Sequence, residues 1–170
     1  MITRHHQDDR ATSTAVYSDC ERYRYALTRT WDARGGKLLY IMLNPSKATE
    51  VQNDPTIERC ERRARHLGFG AFRAVNIFAW RETDPKRLRR AERPIGPDNN
   101  TTLLEAAAWA DTLLCAWGVH GDHLNRGPAT ETLLRSNGHS LYSLGLTKHG
   151  HPRHPLYISY TETPRPWDPA

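Results

Sequence analysis

Cysteine is scarce in this sequence, and long apolar runs are missing altogether. The 170 residues include three cysteines, Cys20, Cys60 and Cys115, odd in number and far apart. That pattern argues for reduced thiols and a cytoplasmic setting, and its spacing fits no zinc site. No segment approaches the roughly 20 apolar residues that cross a bilayer, and MITRHHQDDR has no stretch of secretory type, so no membrane partner is expected. Three catalytic signatures are also absent. There is no G-x-x-x-x-G-K-[ST] for nucleotide phosphates, no G-x-S-x-G for a serine nucleophile, and no H-x-E with P-C-x-x-C for a zinc deaminase.

Charge and polar residues are plentiful. Lys and Arg outnumber Asp and Glu by 24 to 19, which gives a net charge of +5. The pI is near 9.3 and the mean hydropathy is −0.74. The cations gather in ERRARH (61–66) and KRLRRAER (86–93). Each run reads either as a solvated helix face or as a surface for a polyanion.

The length fits one domain, expected over 17–170 behind a loose, polar N-terminus at 1–16. Tyr23–Trp31 reads as a strand, with Arg34-Gly35-Gly36 as a turn into KLLYIML (37–43), a β-hairpin at the entry to the fold. Asp54-Pro55 opens a helix that buries Ile57, Cys60, Ala64 and Leu67 and stops at Gly68 and Gly70. Further strands are expected at 71–80 and 111–118, with helices after Asp98 and from about Pro128 to Ser136. Alternating strands and helices imply a single-domain α/β fold around a mostly parallel central sheet.

Ligands of such sheets bind beyond the carboxyl ends of the strands. Asn44-Pro45-Ser46, Asn76, Trp117–His120 and the 148–157 loop should therefore meet at one edge. Asn44, held by Pro45, either ends a strand as an Asx-turn or orients a water molecule or base. Asn76 interrupts the apolar AVNIF, and its amide bonds either to backbone or to a ligand. The run Lys148-His149-Gly150-His151-Pro152-Arg153-His154-Pro155 is either a solvated loop or a preorganised site for proton transfer or anions. Its His-Pro and His-Gly steps spoil a metal-binding pair, so neither metal nor cofactor is expected.

From Tyr17 onward, "MLNPS…NDPTIERC…VNIFAWRETDP…IGPDNN…AWGVHG…LGLTKHGHPRHPLY" closely resembles a bacterial and phage domain family of unknown function. Four shorter motifs are similar to the uracil-DNA glycosylase superfamily, and to its mismatch-specific branch in particular. Leu43-Asn44-Pro45 resembles the motif that ends the first strand, and Asn76 sits on the second strand. Thr112–Gly118 resembles the third strand, and His151-Pro152-Arg153-His154-Pro155-Leu156 looks like the His-Pro loop with one extra residue. Met42 stands where that superfamily has glycine, and Ser46 and Lys47 stand where it has a bulky aromatic.

That resemblance implies a three-layer, uracil-DNA-glycosylase-like sandwich and a cytoplasmic, monomeric, monofunctional DNA glycosylase. Asn44 would orient water, and His151 or His154 would stabilise the departing base. Asn76, Ser46 and a ring from Phe78 or Trp80 would hold the base. Lys47, Lys148 and Arg153 would grip DNA, with Leu156 or Tyr157 wedged into the stack. The missing aromatic block implies a C5-substituted, possibly glucosylated hydroxymethyl, pyrimidine, and a role in repair or anti-phage defence. Two other classes stay open: a non-catalytic nucleic-acid-binding module, and a metal-independent nucleotide hydrolase or transferase.

Overall fold

Residues 37–43 are apolar on both faces, so they need a central place in a sheet rather than an edge. The computed structural model, which describes residues 1–170, gives them one. Eight strands form a single sheet: β1 (Ile2–Gln7), β2 (Thr12–Tyr17), β3 (Arg24–Thr30), β4 (Lys37–Met42), β5 (Ala71–Asn76), β6 (Thr112–Cys115), β7 (Tyr142–Ser143) and β8 (Arg165–Pro166). Their spatial order is β1-β2-β3-β5-β4-β6-β7-β8. Four helices complete the fold: α1 (Pro55–His66), α2 (Pro85–Arg90), α3 (Asn99–Trp109) and α4 (Arg126–Ser136).

Three expectations are corrected. The sheet is mixed, with parallel pairing confined to β5-β4-β6-β7. Its other four pairings, β1-β2, β2-β3, β3-β5 and β7-β8, are antiparallel. Residues 1–16, expected to be loose, hold β1 and most of β2, paired from Ile2 with Tyr17 to Gln7 with Thr12. The hairpin between β3 and β4 does not form, because β5 lies between them.

The reason lies in two glycines, Gly35 and Gly70, that sequence inspection reads as a turn residue and a helix stop. A Cβ on Gly35 would sit 2.7 Å from the Cα of Gly70, so backbone packs on backbone where the β3–β4 connection passes the start of β5. Trp31 and Asp32 both donate their N–H to the Gly70 carbonyl at 3.0 Å, which fastens that crossing.

Alternation along the strands makes two cores. Tyr40, Met42, Phe72, Ala74 and Leu114 face α1 through Ile57, Cys60 and Ala64. Leu39, Ile41, Val75, Leu113 and Cys115 face Leu88 of α2, Leu103 and Ala106 of α3, and Leu134 of α4. Helix α1 starts as its sequence dictates: Asp54 Oδ1 accepts from the Ile57 N–H at 2.9 Å and Pro55 takes the first position. No helix is long and apolar enough to cross a membrane.

Candidate active site

Parallel strands β4, β5 and β6 end at one edge, and their ladder continues into the loops beyond. Ile77 donates to Met42 O at 2.9 Å, Phe78 to Leu43 O at 3.0 Å and Ala116 to Ile41 O at 2.8 Å. The later loop is fastened on top by the Gly118 N–H, which donates to Pro152 O at 2.8 Å. Gly118 has φ +73°, and a Cβ there would meet His154 Cβ at 3.3 Å, so glycine admits the loop at this point. Together these segments enclose a cleft of about 580 Å³, lined by Asn44, Ser46, Lys47, Asp54, Trp117, His120, His154, Leu156 and Tyr157 among others.

Asn44 is fixed through its nitrogen. Nδ2 donates to the carbonyls of Pro45 (3.1 Å), Trp80 (3.3 Å) and Glu82 (2.7 Å). Three acceptors around one atom determine which end of the amide is which, leaving Oδ1 as the acceptor for the cleft. The amide therefore anchors the 80–82 loop and leaves its carbonyl oxygen without a protein partner at the cleft wall. Beside it, Ser46 Oγ bonds Thr83 Oγ1 at 3.0 Å.

Of the two histidines in the His-Pro loop, His154 lines the cleft and His151 does not. The His151 backbone closes a turn instead, donating to Thr147 Oγ1 at 3.1 Å and accepting from the Thr147 N–H at 2.7 Å. His154 Nδ1 accepts the Leu156 N–H at 3.3 Å, so the neutral ring carries its proton on Nε2. Burial pushes its pKa down from 6.5 to about 4, against the opposing pull of Asp54. At neutral pH the cleft therefore holds an uncharged N–H donor.

This shift has a signed consequence for stability. Between pH 6.5 and about 4 the unfolded chain protonates His154 while the folded chain does not, so stability falls as the pH drops. Going from pH 7 to pH 5 should cost about 2 kcal/mol through this residue. His123, also lowered by burial, adds to the same window. Urea denaturation at the two pH values should show a smaller loss in His154→Gln than in the wild type; an equal loss would reject this assignment.

Below the cleft lies a chamber of about 40 Å³, reached between Asn44, Ser46, Asp54, Thr56 and His154, which line both spaces. Asn76 forms part of its wall at 1% exposure, and neither Nδ2 nor Oδ1 has a partner. Arg24, at the start of β3, forms another part. Its register against β5 brings it here: β3 runs antiparallel, so its first residue reaches the carboxyl end of β5, where the Arg24 N–H donates to Ala79 O at 3.0 Å.

Other expected residues fall elsewhere. Phe78 is fully buried in the core beneath α2–α4 and packs on the His123 ring, 5.5 Å away. Trp80 turns to Tyr23 on the far side of its loop, ring centres 5.5 Å apart. Neither lines the cleft, because the chain past Asn76 follows β4 outward and carries both rings with it. Trp117 and the 91%-exposed Tyr157 are the aromatic residues that do line it. Lys47, Leu156 and Tyr157 sit at the cleft, while Lys148 and Arg153 are exposed outside its wall.

The two basic runs have different fates. Arg63 in α1 is buried, donating through Nη1 to Ser159 O (3.1 Å) and Glu162 O (2.9 Å) and through Nη2 to Ile158 O (2.8 Å). Arg59 adds a bond to Ile158 O at 2.6 Å, and both guanidinium groups lie over the Tyr160 ring. Arg63 from this run, with Arg59 just ahead of it, thus clamps the segment after the His-Pro loop. In α2, by contrast, Lys86, Arg87, Arg89 and Arg90 are exposed beside the cleft residues Thr83 and Pro85.

Arg24 and Trp117 were missed as candidate residues in the sequence reading. Trp117 lies in a segment that the reading did bring to this edge, whereas Arg24 is placed only by the antiparallel register of β3. A family model described as "Protein of unknown function (DUF1643)" matches residues 24–156, so the chain belongs to that family. No curated protein matches the chain, and no solved structure does.

Proposed function

We propose that this member of the DUF1643 family is a DNA glycosylase that hydrolyses the N-glycosidic bond of a C5-modified pyrimidine flipped out of DNA. The observation that carries this reading is the shared cleft: a neutral His154 donor and the Asn44 carbonyl oxygen open onto one space, with the unpartnered Asn76 amide beneath. The four motifs that resemble the uracil-DNA glycosylase superfamily fall on these same segments, and the three-layer architecture of that superfamily belongs to the same proposal.

In such a reaction the bond between C1′ and the base nitrogen breaks, and its electron pair leaves with the base. Positive charge builds on the sugar and negative charge on the base O2. His154 Nε2–H would donate to that oxygen. Asn44 Oδ1 would accept a hydrogen bond from the water that adds to C1′, orienting it without removing its proton. The Asp54 carboxylate, also on the cleft wall, can accept that proton; its Oδ1 and Oδ2 already take backbone N–H bonds from Ile57 (2.9 Å) and Ala48 (3.2 Å).

Ser46, Lys47 and Thr83 form the wall next to Asn44, with no ring to obstruct a substituent at C5 of the pyrimidine. Glucosylated hydroxymethyl groups are the bulkier candidates for that space, and repair or anti-phage defence is the corresponding role. Lys47 and the exposed cations of α2 would hold phosphates, with Leu156 or Tyr157 filling the gap left by the flipped base. The protein would act as a cytoplasmic monomer.

The test is an abasic-site assay in EDTA. DNAs carrying uracil, mismatched thymine, 5-hydroxymethyluracil, 5-hydroxymethylcytosine and its glucosylated form would be incubated with protein and then treated with alkali. Cleavage of one substrate, reduced at least roughly tenfold in Asn44→Ala with folding checked by thermal melting, is the expected result. No cleavage of any substrate, with salt-sensitive DNA binding intact, would leave a binding module instead.

A further inference from the structure

Arg24 is almost completely buried, yet it makes no salt bridge. One of its donors is used, Nη1 to Ala48 O at 2.8 Å, and Nε is buried without a partner. A guanidinium has five N–H donors and no acceptor, and burying it unpaired costs several kcal/mol. Asn76 shares the chamber, with both ends of its amide unpartnered. Two buried polar side chains facing one small chamber have an unmet demand for hydrogen bonds, and the demand from arginine is solely for acceptors.

Resting on the glycosylase reading, we infer that Arg24 and Asn76 form a base-edge subsite selective for a pyrimidine bearing oxygen at C4 over one bearing an amine. The chamber, at about 40 Å³, admits the edge of a ring but not the ring, which must stay in the 580 Å³ cleft beside His154. A 4-oxo pyrimidine presents O4 as acceptor and N3–H as donor. Arg24 Nε–H and Asn76 Nδ2 can both donate to O4 while Asn76 Oδ1 accepts from N3–H. An Asn amide alone can turn over to suit a 4-amino ring, whose N3 accepts and whose amine donates. Arg24 cannot, because its N–H would then face the N–H of that amine. The arginine therefore sets the choice, and Asn76 follows it.

Paired substrates that differ only at C4 give the test: 5-hydroxymethyluracil and 5-hydroxymethylcytosine in the same duplex, with excision of each measured. Wild type should prefer the oxo base by at least about 10²-fold, since a site built around a hydrogen bond rejects the analogue that lacks it. Arg24→Gln, whose amide can serve either base, should shrink that ratio at least tenfold. Asn76→Asp keeps the volume but supplies only acceptors, and should shrink it as well, so the inference survives a misfolded Arg24 variant. Excision with equal or reversed preference, or a ratio unmoved by both variants, overturns the subsite and leaves the glycosylase reading intact. A second arm titrates the two free bases against the intact protein by Trp fluorescence. Selective binding of the oxo base, without excision of either substrate or of any other DNA in the abasic-site panel, would uphold the subsite and reject the glycosylase reading. Equal binding there would overturn the subsite.

Discussion

Replacing His154 with alanine should lower base excision at pH 7 by about 10²–10³-fold, the loss expected for one donor to a developing oxyanion. His151→Ala should stay within a few-fold of wild type, although both histidines belong to the same short loop. His154 presents Nε2–H to the cleft because its other nitrogen accepts the Leu156 N–H, whereas the His151 backbone is committed to the Thr147 turn outside the wall. A neutral donor also leaves a mark on the pH profile. With a pKa of about 4, His154 contributes no inflection near pH 6.5, and any limb it produces lies on the acid side. Single-turnover rates for both variants between pH 5 and 8 decide the matter. Equal losses, or a wild-type inflection near 6.5 that vanishes with His154, would rule out this role.

Arg63→Met should cost about 3–5 kcal/mol of folding stability, because it removes a buried charged donor from three carbonyl oxygens at once. Arg62→Met, one residue away, should cost less than about 0.5 kcal/mol: that guanidinium is exposed and pairs with Glu58 across a single turn. Urea midpoints for the two variants at pH 7 provide the comparison. Similar midpoints would mean that the C-terminal segment is held by something other than the arginine clamp. Loss of the clamp should also loosen His154, which lies four residues before Ile158, so excision in Arg63→Met should fall even where the protein remains folded.

The residues that follow local rules were legible in the sequence. Asp54-Pro55 and the spacing of Ile57, Cys60 and Ala64 gave α1, and the apolar runs gave β4, β5 and β6. Parallel strands imply a common carboxyl edge, which is why Asn44, Asn76 and the His-Pro loop could be brought together without coordinates. What failed depended on contacts remote in sequence. ITRHHQ is too polar to read as a strand, and it forms one only as an outer edge against β2. Gly35 and Gly70 make a close crossing, which a local reading takes for turn and stop signals. Phe78 and Trp80 were expected at the site only because the resemblance implies a stacking ring, and their direction was set by how far β5 follows β4 past its last ladder residue. Nothing near residue 24 points to a ligand until β3 is known to run antiparallel beside β5.

The hydrogen bonds of the clamp on the C-terminal segment all end on main-chain oxygens, those of Ile158, Ser159 and Glu162. Every amino acid supplies such an oxygen. Those hydrogen bonds are thus indifferent to the side chains of Leu156 and Tyr157, which can be exchanged without releasing the anchor. Evolution can accordingly retune what the loop touches on a ligand at little cost to folding, while substitutions at Arg59 and Arg63 are the ones selection should refuse.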